Sequence, residues 1–222
     1  MSPTASAIDT LLTALVGLSA LGLVITRQML ALLRLFVWQS AFLAASALTL
    51  AVGVPSRHLY LFVVVTVASK VVAIPLVLRA TASREVYEQR EIDQVLSIPM
   101  ALLTSAALAL AGWALMRPLL TATGLGSTLS LHVTLGCIVL LLGAFTVVVR
   151  REAVAQLLGL LAMENGAFLA GIALVPNMNA IVEVAVAVDV PVVALVIGLL
   201  IRTIHQELGS TKVGELTELK DG

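Results

Sequence analysis

Lys70, Glu164 and Asp189 each lie near the centre of a long apolar run. A charged side chain at bilayer mid-depth costs roughly 2.5–3.5 kcal/mol even on mild insertion scales, so such groups are normally paired or used. An amine and two carboxylic acids can take up and release protons or hold a cation. Thr66 sits one turn before Lys70 and makes that face polar. Pro75 follows five residues later and removes the amide that would bond the Val71 carbonyl, so a free carbonyl is expected beside the lysine. Lys70 therefore reads either as half of a structural ion pair that locks two helices or as a relay group whose charge state changes.

Glu164 stands in Met163-Glu164-Asn165-Gly166. Gly159, Ala162, Gly166 and Ala170 form a small-residue stripe at helical spacing, which allows close helix approach in a membrane. Asn165 can hydrogen-bond across such a contact. The bland alternative is a tight helix contact with a protonated, silent Glu164. Gln or Ser would serve packing at lower cost, which favours a working acid. Asp189 has Pro191 two residues on, which frees the Ala187 carbonyl. An acid beside an unsatisfied carbonyl suits a water or a cation. Glu183, six residues earlier, either marks the membrane interface or joins the ion path with Asp189.

The elements that must position these groups are long helices. The chain has 222 residues, 60% hydrophobic and 12% charged, where a soluble domain has about 25% charged. The expected fold class is therefore an all-α integral membrane protein. Seven runs approach or exceed the length needed to cross a bilayer: Ile8–Ile25, Leu35–Val54, Leu59–Leu78, Val95–Met116, Leu129–Val149, Ala153–Val175 and Ala180–Ile201. They hold 146 of the 222 residues. Charge, proline or glycine separates them, with Arg117-Pro118 closing the fourth. The loops after runs 1, 3 and 5 and the C-terminal tail carry ten Lys and Arg, against two (Arg57 and Arg117) on the other side. That asymmetry predicts an outer N-terminus and a cytoplasmic C-terminus. The first ten residues lack a basic n-region, so no cleaved signal peptide is expected.

Several function classes are disfavoured. The formal net charge is zero, and no nucleic-acid partner is expected. The single cysteine, Cys137, leaves no intrachain disulfide and no cysteine-based cluster. His58, His132 and His205 lack metal-ligand spacing and read as interfacial residues, so no metal and no cofactor is expected. The stretch from Arg84 to Asp93 reads as a solvated or interfacial helix, and the tail from Gly209 as polar.

These residues together resemble component E of the hydrogenase 4 type of membrane-bound hydrogenase, found in formate hydrogenlyase-like complexes. The matching stretches are Lys70-Val71-Val72-Ala73-Ile74-Pro75, Met163-Glu164-Asn165-Gly166, the Glu183/Asp189 pair, and Leu216-Thr217-Glu218-Leu219-Lys220. The segment from about Leu129 to His205 is also similar to the K-type subunit of respiratory complex I and, in outline, to the C subunit of multi-subunit cation/proton antiporters. Shared features are Arg150-Arg151 before a helix, Gly159, Asn165, and an acid thirteen residues before Arg202. The chain departs where the K-type subunit has an acid two residues after that glycine. Leu161 stands there, and Glu164 lies nearly one turn further on.

The resemblance implies a non-catalytic subunit, multi-pass in the inner (cytoplasmic) membrane, with Glu164, Asp189, Lys70 and Glu183 on an ion path. Its partners would be antiporter-like and other membrane subunits and, indirectly, peripheral nickel–iron and iron–sulfur subunits. The expected organisation is a three-helix part (1–94), a fourth helix with its outer loop (95–127), a K-subunit-like three-helix module (128–208) and a polar tail (209–222). The alternative is a purely structural scaffold.

Overall fold

The computed structural model describes residues 2–53, 57–81, 95–124 and 126–174. The run Ala180–Ile201 with Glu183, Asp189 and Pro191, the stretch from Arg84 to Asp93, His205 and the tail lie outside the described residues. Every regular element among the described residues is helical: α1 (Pro3–Ile25), α2 (Met29–Gly53), α3 (Arg57–Thr66), a π-helical segment (Val67–Ala73), α4 (Ile74–Thr81), α5 (Ile98–Thr123), α6 (Ser127–Val149) and α7 (Ala153–Leu174). Six spans in these elements are long and apolar enough to cross a membrane, the third running from α3 through the π segment into α4. The chain is a multi-pass membrane protein.

Burial runs opposite to that of a soluble protein. Asp9, Gln39, Lys70, His132 and Asn165 are wholly buried, while Leu103, Leu110, Trp113, Leu115 and Val148 are exposed. Backbone groups cannot stay unpaired in hydrocarbon, which is why these spans are helices. Local chemistry sets the helix ends. Ser2 accepts the Ala5 amide at 3.2 Å and Pro3 opens α1. Gly124, at φ 63, closes α5 in the left-handed conformation that glycine adopts without penalty. The fourth run was expected to break at Arg117-Pro118. Instead α5 continues through Pro118 to Thr123. Proline is tolerated in a membrane helix because nearby groups can take up the freed backbone.

Loops of a few residues make antiparallel pairs of α1–α2 and of α6–α7. The α6–α7 contact is the tightest. A Cβ on Gly136 would lie 2.5 Å from the Ala170 backbone nitrogen and 2.7 Å from the Gly166 carbonyl. A Cβ on Gly143 would collide with the Met163 backbone, and one on Gly166 with Leu140. Gly159 faces Thr146 and Val147. The stripe expected on α7 thus has its counterpart in Gly136 and Gly143 on α6.

Arg150 ties this hairpin to α1. Its Nη2 donates to the carbonyls of Leu23 at 3.0 Å, Val24 at 2.9 Å and Thr26 at 2.5 Å. These carbonyls lie at the C-terminal end of α1, where orphan acceptors and the helix dipole favour a cation. The sequence places Arg150 in a solvated loop, but it is 1% exposed. Burial first, and the charge of Arg27 second, push its guanidinium down to about 10 while Glu152 opposes. It therefore stays cationic at pH 7. Arg150→Met should lower stability by about 2 kcal/mol or more, and Arg150→Lys by less, read from unfolding midpoints in detergent.

Candidate functional site

Lys70 lies in the π segment, eleven residues into the third span, and is 0% exposed. The wide turn replaces the ordinary ladder here, with the Ile74 amide donating to the Ser69 carbonyl. Pro75 brings no amide to the next position, so the disturbance that the proline predicts is spread over one π turn. Such turns concentrate at functional positions.

Three other helices complete the site. From α7, Glu164 Oε2 stands 2.9 Å from Lys70 Nζ. Asn165, also on α7, accepts from Lys70 Nζ at 3.0 Å through Oδ1. The Asn165 amide then donates to Gln39 Oε1 at 3.3 Å and to Ser40 Oγ at 3.0 Å, both on α2. Gln39 Nε2 reaches the Val16 carbonyl of α1 at 3.5 Å. Phe168 presents its ring 4.8 Å from the ammonium, and Phe62 packs edge-on against that ring. Gln39, Lys70 and Glu164 all lie about 16 Å along their helices from one membrane face or the other, near mid-depth.

The chemistry follows from these contacts. A proton added to Glu164 cancels its negative charge. Lys70 does not then lose its surroundings, because the Asn165 carbonyl oxygen and the Phe168 face still stabilise a cation. The site therefore tolerates a change of charge on one partner. It contains no thiolate, imidazole or glycine-rich loop, and among the described residues no group of three acids, histidines or cysteines could hold a metal.

The structure thus brings Lys70, Glu164 and Asn165 together, with Pro75 beside them and Gly159 and Gly166 closing α7 onto α6. Asp189, Glu183 and Pro191 lie outside the described residues. Gln39 and Ser40 were not anticipated. Their signal was an amide-hydroxyl pair in the middle of an apolar run, with Ser46 two turns later on the same face.

A second polar cluster was also missed. His132 was read as interfacial, but it is 0% exposed and lies against Asp9 of α1 and Ser46 of α2. The signal was Asp9 and Thr13 at i and i+4, and Ser46 and Thr49 at i and i+3.

Among known proteins, the chain is 29% identical over 195 residues, 88% of its own length and 88% of the relative's, to Uncharacterized protein Rv0085 of Mycobacterium tuberculosis. No family profile matches the chain. No solved structure matches it.

Proposed function

We propose that the chain is a non-catalytic membrane-arm subunit of a membrane-bound hydrogenase of the formate hydrogenlyase-like kind, contributing to proton or sodium movement coupled to electron transfer. In this reading it spans the inner (cytoplasmic) membrane seven times, with its N-terminus outside and its tail in the cytoplasm. The ten-to-two division of Lys and Arg supports that orientation. Antiporter-like and other membrane subunits would be its neighbours. Peripheral nickel–iron and iron–sulfur subunits would carry the hydrogen chemistry.

The observation that carries the reading is the Lys70–Glu164 pair at mid-depth, continued through Asn165 to Gln39 and Ser40. Two of the stretches that resemble the hydrogenase component, the one holding Lys70 and Pro75 and the one holding Glu164, Asn165 and Gly166, meet there. Buried ionisable groups that pair across helices are the usual material of proton relays.

The test has two arms. A C-terminally tagged chain is extracted gently from its native membranes, and recovery with nickel–iron hydrogenase-like and antiporter-like subunits is expected. Glu164→Gln is then expected to assemble yet lower coupled ion movement to less than about one tenth, because Gln neither takes up nor releases a proton. Unchanged coupling in a fully assembled complex would remove Glu164 from the path.

The ion pair also supports a scaffold reading, since it ties the third span to α7. If that is its whole purpose, single replacements of Lys70 or Glu164 fail at assembly. Exchanging the two charges then restores it.

A further inference from the structure

About 9 Å above the Lys70 level, measured along α2 from Ser40 to Ser46, lies the Asp9–His132 cluster. It joins α1, α2 and α6 on the side of the membrane that carries the α1 N-terminus. Asp9, Thr13, Ser46 and His132 are all buried.

The hydrogen bonds assign most of the hydrogens. His132 Nδ1 lies 2.8 Å from the Thr128 carbonyl, which can only accept, so Nδ1 carries a hydrogen. Ser46 Oγ donates to Asp9 Oδ1 at 2.5 Å, which uses its single hydrogen. Thr49 lies 3.2 Å from the same oxygen. His132 Nε2 is left with three possible partners. As a lone pair it accepts from Thr13 Oγ1 at 3.3 Å. As an N–H it donates to Ser46 Oγ at 3.1 Å, whose own hydrogen is already used, and faces Asp9 Oδ2 at 3.4 Å. Asp9 Oδ2 is buried and otherwise has no hydrogen-bond partner. An orphaned carboxylate oxygen is costly in so dry a place. A hydrogen on Nε2 lowers that cost by placing a cation 3.4 Å from the oxygen.

We propose that Asp9 and His132 form a proton-binding site, with the bound proton on His132 Nε2. Uptake forms the Nε2–H bond and ends the acceptance from Thr13. The cluster passes from a net charge of −1 to a neutral carboxylate–imidazolium pair. Release reverses both changes. Half-buried Ser6 and Thr128, whose hydroxyls are 3.2 Å apart, lie between the cluster and the near membrane face. The other charged groups on the elements packed here stand elsewhere. Arg34 of α2 is twelve residues from Ser46, Arg57 at the start of α3 is exposed, Glu164 of α7 is with Lys70, and Arg117 of α5 lies over Trp113. The use of this proton in coupled ion movement rests on the membrane-arm reading, whereas the site itself does not.

The test is a nitrogen-15 histidine spectrum of the full chain in lipid nanodiscs, with His132→Gln to assign the signals. Raising the pH from about 5 to about 9 is expected to convert His132 from an imidazolium to the neutral form with hydrogen on Nδ1. In Asp9→Asn the change should move down by about one pH unit or more, because the opposite charge is gone. Thr13→Val keeps both titrating groups and removes the donor to neutral Nε2, so its change should move up. One unchanging form across that range overturns the site, as does an Asp9→Asn spectrum identical to the native one. If Asp9→Asn does not fold, an unmoved Thr13→Val overturns it. The spectrum needs no partner subunit and no coupling, so its failure is separable from failure of the membrane-arm reading.

Discussion

Lys70→Met is expected to destabilise the bundle by about 3–5 kcal/mol, because it leaves the Glu164 carboxylate without its counter-charge in a dry contact. Glu164 Oε2 is 2.9 Å from the ammonium, and the two side chains are 10% and 0% exposed. The substitution also takes the donor from Asn165 Oδ1 and the cation from the Phe168 face. The double replacement of Lys70 and Glu164 by Met should recover most of the loss, since an apolar pair of similar volume does not pay for removing two charges from water. Unfolding midpoints of the two single variants and the double variant measure this directly. A double variant as weak as Lys70→Met would mean that the cost lies in repacking around the π turn and not in the stranded charge.

Gly143→Ala is the second large effect. The added methyl would enter the Met163 backbone, which cannot swing aside as a side chain can. Overpacking of this kind costs about 3 kcal/mol when the neighbour is rigid. Separation of α6 from α7 would also displace Glu164, one residue beyond Met163, so assembly and stability should fall together. Gly126→Ala is the matched control. A Cβ there meets nothing within 4 Å, and its φ of −59 suits any residue, so its midpoint should not move.

The parts of this architecture that composition dictates could be read from the sequence. Six of the seven expected spans fall on described helices, because twenty apolar residues in hydrocarbon have few other conformations. Lys70 and Glu164 stood out as isolated charges in apolar runs. Their pairing was not legible, since it depends on how α7 meets the third span, and one sequence holds no contacts. Pro118 misled because neighbouring groups can take up the backbone it frees, so the membrane helix runs on through it. Asp9 and His132 escaped notice because both lie near span ends, where a charge ordinarily meets the interface. Folding brings them together behind Ser46. Arg150 was counted among loop charges for the same reason, and only the approach of α6 to the end of α1 makes it a buried cap.

That cap also bears on how the protein is made. The carbonyl of Thr26 and the guanidinium that satisfies it are 124 residues apart in the chain. At about 5–20 residues per second, Thr26 is synthesised roughly 6–25 s before Arg150. During that interval the α1 terminus lacks the guanidinium that caps it in the folded chain. Biogenesis is therefore directional: the first hairpin waits, and the fifth span seals it on arrival.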